Sequence, residues 1–142
     1  MANAIYPLWK QALMREIDTH KSLDQGGIDP VQGVYASLVD IDNAYVYSDA
    51  DQFYSRISSP IGVPSLLTTP TVAGRIFSAD TVVYTNVTGH KIGALVLYRQ
   101  NAGASSTWRL VLYEDTGIVG LPMIPSGGNI IVSWNVQGIF GL

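Results

Sequence analysis

The chain contains no cysteine and only two histidines, His20 and His90. The first absence excludes disulfides and thiolate metal sites, and it fits a reducing cytosol. The second excludes a three-histidine metal site, and no His-x-x-x-His pair exists. Charge is scarce as well: Asp, Glu, Lys and Arg make up 13% of the 142 residues, about half the usual ~25%. The net charge of −3 comes without a basic block. That argues against nucleic acid, whose phosphates are held mainly by Lys and Arg. Mean hydropathy is positive at +0.21. Even so, the longest obvious apolar run, "IGALVLY" at 92–98, is far short of the ~20 residues of a membrane helix. The opening "MANAIYPLWK" has no basic segment and no signal-peptide core. One soluble domain is expected, with no membrane contact. A surface this poorly charged is often sheltered by a partner. The alternative is a monomer with a large core and a Ser-, Thr- and Asn-rich exterior.

The residues that are present fall into two periods. Tyr6, Trp9, Leu13 and Ile17 recur at spacings of three and four, which predicts one helix over about 6–17. Pro7 suits its first turn, where the missing N–H would be unpaired anyway. "DTHKSLDQGGIDPVQG" reads as a loop. "GVYASLVDID" then alternates, with Val34, Ala36 and Leu38 on one side and Tyr35, Ser37 and Val39 on the other, a strand pattern. "SDADQFYSRI" reads as a further short helix capped by Ser48 or Asp49. "SSPIGVPSLLTTPTVAG" reads as a stretch broken by Pro and Gly. Beyond it, "RIFSA", "TVVYTNV", "GALVLYRQ", "TWRLVLYED" and "NIIVSWNV" are strand signals separated by turn clusters. Short strands at this spacing predict a mainly β fold, a jelly-roll-like antiparallel β-sandwich over 1–142 with two short helices.

Catalytic constellations are missing. No G-x-S-x-G elbow, phosphate-binding Gly-rich loop or G-x-G-x-x-G occurs. His20 and His90 sit in polar loops. Asp40, Asp42, Asp49 and Asp51 cluster, but a calcium loop counted from Asp40 would need Gly and a bidentate Glu where Tyr45 and Asp51 stand. These carboxylates read instead as a strand end and a helix cap. No catalytic residue, metal or cofactor is assigned, and no enzyme activity is expected. The aromatics carry more information. Tyr45, Tyr47, Phe53 and Tyr54 fall within ten residues; such rings belong either to an interface or to core and rim packing. The chain also closes on an apolar end, with Ile139, Phe140 and Leu142. Ile130, Val132 and Trp134 alternate with Ile131, Ser133 and Asn135 just before it. A paired strand is expected there, bent at Gly138. Tyr6, Trp9, Leu13, Tyr45, Tyr47, Phe53, Tyr54, Ile139, Phe140 and Leu142 are therefore the candidate interface residues.

Four segments in order resemble a known family. These are "MANAIYPLWKQALM", "YASLVDIDNAYVYSDADQF", "TNVTGHKIGALVLYRQ" and "GLPMIPSGGNIIVSWNVQGIFGL". They resemble the Met-Ala-Asn and Tyr-Pro opening, the Leu-Val-Asp strand end, the Val-Thr-Gly turn and the Pro-x-Gly-Gly to Gly-Ile-Phe-x-Leu close of small tailed-phage virion proteins. The chain is most similar to capsid cement, or decoration, proteins of Bordetella-type phages. The resemblance implies a jelly-roll-like sandwich on the outer face of the capsid. It implies the major capsid protein and a second copy of the chain as partners, in dimers that bridge capsomers. The loop "THKSLDQGGIDPVQG" and the segment "SSPIGVPSLLTTP" depart from the family pattern. Alternative readings are a neck or tail component, and a carbohydrate-binding sandwich that uses the tyrosines near Asp40 and Asp42 with a cation.

Overall fold

Residues that alternate in the sequence pair as strands in the fold. The computed structural model describes residues 3–14 and 33–141, Leu13 in its backbone only. Its elements run β1 (Ala4–Ile5), α1 (Pro7–Met14), β2 (Gly33–Val39), β3 (Ile61–Leu66), β4 (Thr71–Ala73), β5 (Ile76–Ser78), β6 (Val82–Tyr84), β7 (Ala94–Gln100), β8 (Arg109–Glu114), β9 (Ile130–Val132) and β10 (Phe140–Gly141). All ladders among them are antiparallel. They form a five-stranded sheet in the order β1-β8-β7-β2-β3, a three-stranded sheet β10-β5-β4 and the pair β6-β9. The mainly β, antiparallel class is the one expected. The five-, three- and two-stranded pairing is less regular than the two-sheet jelly roll.

The central strands β2 and β7 are buried on both faces. The register Leu38↔Leu95 and Ala36↔Leu97 builds one face. That face continues onto β8 through Leu97↔Leu112 and Leu95↔Glu114. Tyr35↔Tyr98, Ser37↔Val96 and Val96↔Tyr113 build the other. At the bulge of β2 against β3, the Tyr84 hydroxyl donates to the Ala36 carbonyl at 2.8 Å. A side chain thus completes hydrogen bonding where the ladder is irregular.

Several expectations are corrected. The described part of the helix is Pro7–Met14, so it starts one residue later than expected; residues 15–17 of the expected helix, with Ile17, lie outside the described residues, as does His20. Before the helix, Ala4–Ile5 is a strand, and the Tyr6 N–H extends it to the Val111 carbonyl at 3.0 Å. "SDADQFYSRI" is not a capped α-helix; only Tyr54–Arg56 makes a 3-10 turn, without a side-chain cap. The reason is local competition. Ser48 and Asp51 close their own turn, with the Ser48 N–H donating to Asp51 Oδ2 at 3.2 Å and the Ala50 N–H to Ser48 Oγ at 3.2 Å. The Pro- and Gly-broken stretch contains β3 and β4. Pro64 is tolerated because β3 is an edge strand, where a missing N–H need not leave a partner unpaired.

The apolar end does pair, but as two strands. β9 joins β6, the chain turns with the Gly138 N–H on the Asn135 carbonyl at 2.9 Å, and β10 joins β5 in a different sheet. Gly138 has φ +113, and a Cβ there would collide with the Ile76 side chain, so the turn needs glycine. Phe140 packs edge-on against Trp9 at 5.9 Å and against Phe77 at 5.4 Å. The greasy terminus therefore closes the core over α1.

Candidate interaction site

Strands β2, β7 and β8 hold Tyr35, Tyr98 and Tyr113 on one face, and the segment 40–57 lies over it. Tyr54 stacks on Tyr98 with ring centroids 3.8 Å apart. Tyr35 and Trp108 flank that ring, each at 5.7 Å. The Tyr54 hydroxyl meets Ser37 Oγ at 3.0 Å, so the polar tip of a buried ring is satisfied. A second group gathers Tyr6, Tyr45, Tyr47 and Tyr113. Here Tyr45 donates to Asp51 Oδ2 at 2.7 Å. A phenol has one proton, so at 2.7 Å the Tyr6 hydroxyl must donate to Tyr45. Asp51 is buried and takes Arg56 Nε at 3.2 Å on its other oxygen. Its charge is compensated by several donors; the exposed Arg56 alone would contribute little.

Burial pushes Tyr6 and Tyr45 well above the ordinary phenol range. Burial and the Asp49 acceptor push Tyr47 up to about 12. These hydroxyls stay protonated at neutral pH and act as donors within the fold. The four aspartates are not pooled. Asp40 accepts the Asp42 and Asn43 N–H groups at 2.9 and 3.1 Å, Asp49 accepts Tyr47 and Asp51 accepts Tyr45. Burial opposes ionisation of Asp40, but the Asn43 side-chain amide, donating to Oδ2 at 3.2 Å, together with those two backbone N–H groups outweighs it and holds its carboxyl below the usual range. Among the described residues no three His, Asp or Glu side chains come together as metal ligands. No helix of the described residues is long and apolar enough to cross a membrane.

Burial sorts the candidate interface residues. Tyr6, Trp9, Tyr45 and Tyr54 are buried within one chain, Tyr54 being the most open at 8% exposed, and pack in the core of this chain. Tyr47, Phe53, Ile139 and Phe140 are half-buried rim residues. The side chain of Leu13 and all of Leu142 lie outside the described residues.

No protein-family model matches the chain, and no curated protein matches it either.

The outward apolar residues are different ones. Val83 and Ile131 are Cα partners on β6 and β9, and both point away from the core. Val119 bridges Ser133, two residues beyond Ile131, and so lies on the same outer face. The three are 49%, 58% and 69% exposed. They are not among the candidates above because the inward half of each alternating strand dominates the sequence pattern. The signal was there in "TVVYT" and "NIIVSW", where the outward position is also β-branched.

Proposed function

We propose that the chain is a structural protein of a phage virion, most nearly a capsid cement protein. It binds the outside of the assembled shell through the major capsid protein, pairs with a second copy of itself, and acts by binding rather than by catalysis. It is made in the bacterial cytoplasm and finishes on the capsid exterior. The observation that carries this reading is the outer face of the β6–β9 sheet, where Val83, Ile131 and Val119 stand exposed together. Contiguous exposed apolar area marks interaction surfaces. The ordered resemblance to virion proteins supplies the class of partner. A cement copy needs only a standard contact, about 800 Å² per partner. Binding restricted to the assembled lattice then stabilises it by mass action, about 2.7 kcal/mol per site at a hundredfold excess over Kd.

The test counts copies in purified virions by quantitative mass spectrometry and adds the purified protein back to shells that lack it. Hundreds of copies per particle, and co-sedimentation lost in Val83→Asp and Ile131→Asp variants that melt like wild type, are expected. A copy number of about one ring would move the chain to the neck or tail. Absence from the particle would overturn the reading.

A further inference from the structure

A cleft of about 270 Å³ opens between the end of β8 and the C-terminal segment, walled by Asn3, Glu114, Thr116, Trp134, Gln137 and Gly138. Most of its polar walls are already engaged. Asn3 Oδ1 accepts the Asp115 and Thr116 N–H groups at 2.8 and 3.1 Å, and its Nδ2 donates to the Thr116 carbonyl at 3.0 Å. Trp134 Nε1–H donates to the Asp80 carbonyl at 3.0 Å, which holds the ring in place. Glu114 differs. It is 7% exposed and makes no hydrogen bond or ion pair with any described residue. Among the described residues, the segments that wall the cleft bring no counter-charge. Ala4–Ile5, residues 116–117 and residues 134–139 contain no titratable side chain, and its cross-strand partner is Leu95. The adjacent Asp115 is acidic and accepts the Tyr113 hydroxyl at 3.2 Å.

We propose that this cleft binds a single organic cation, a primary ammonium or guanidinium head, held by the Glu114 carboxylate beside the Trp134 ring. A buried carboxylate without a counter-charge is costly, and a cation removes that cost where a neutral ligand does not. An indole is the best of the aromatic partners for a cation. One carboxylate is too few ligands for calcium, which takes 6–8 oxygens. The volume lies just below the ~300–1,000 Å³ of sites for drug-sized ligands, and suits one side-chain-sized group. None of Val83, Val119 and Ile131 lines the cleft, and the proposal does not depend on shell binding.

The test titrates the protein with n-butylammonium, with n-butanol as its neutral match, and with acetyl-Gly-Lys-Gly-amide. It is read by NMR shifts of the Glu114 carboxyl and the Trp134 indole. We expect the ammonium to bind with Kd of about 1 mM and the alcohol not to bind. Burial pushes the Glu114 carboxyl up to about 7, so affinity should be about tenfold weaker at pH 6 than at pH 8. Glu114→Gln should abolish binding. Binding by the peptide as well as the amine assigns the site to a side chain of another protein; binding by the amine alone assigns it to free amines. No binding of either cation at about 10 mM, equal binding of the alcohol, or binding retained in Glu114→Gln would overturn the proposal. The alcohol comparison uses the unaltered protein and holds even if the variant fails to fold.

Discussion

Replacing Glu114 by Gln should change how stability depends on pH, with no ligand present. Burial raises the carboxyl from its ordinary 4.5 to about 7. The folded chain therefore holds this proton more tightly than the unfolded chain does. The stabilising contribution is complete below about 4.5, falls as pH rises through the interval to about 7, and is gone above it. At 1.36 kcal/mol per pH unit the gap would be worth about 3 kcal/mol. The cleft opens to solvent, and screening there reduces this to about 1–2 kcal/mol. Urea unfolding at pH 5 and pH 8 measures it. Wild type should lose about 1–2 kcal/mol more than Glu114→Gln over that range, and the other carboxylates cancel between the two proteins. The variant keeps shape and hydrogen-bonding capacity, so a wild-type-like stability at pH 5 is part of the expectation. Identical pH dependence in both proteins would refute the claim that this carboxyl is buried without compensation.

Two further perturbations probe the packing. Tyr45→Phe leaves the Tyr6 hydroxyl without an acceptor and takes one donor from the buried Asp51. It should cost about 1.5–3 kcal/mol, and a denaturation midpoint equal to wild type would show the chain of hydroxyls to be energetically idle. Deleting residues 138–142 removes β10 and the Phe140 ring from Trp9 and Phe77. A loss of about 3–5 kcal/mol is expected, as for emptying a buried aromatic site; an unchanged melting temperature would make the apolar terminus a loose end.

What the sequence determined by itself was the parity of its strands. Period-two alternation placed Ile130 and Val132 inward and Ile131 outward, and the fold agrees. It marked the five strand segments of the second half, because β-branched runs bounded by Gly, Asn and Pro have few other uses. The bend at Gly138 was legible for the same local reason.

Tertiary structure decided what lies against each face. Tyr6 and Tyr45 are 39 positions apart and share one hydrogen bond. Tyr6, Tyr45 and Tyr54 are enclosed by their own chain, while Tyr47 stays half-buried at the rim. The inward parity of Glu114 could be counted from Leu112, but not its isolation, which arises because the segment 134–139 crosses its strand end and brings no cation. Local pattern specifies which residues share a side; only long-range chain return specifies whether that side meets protein or water, since the covering residues come from distant positions.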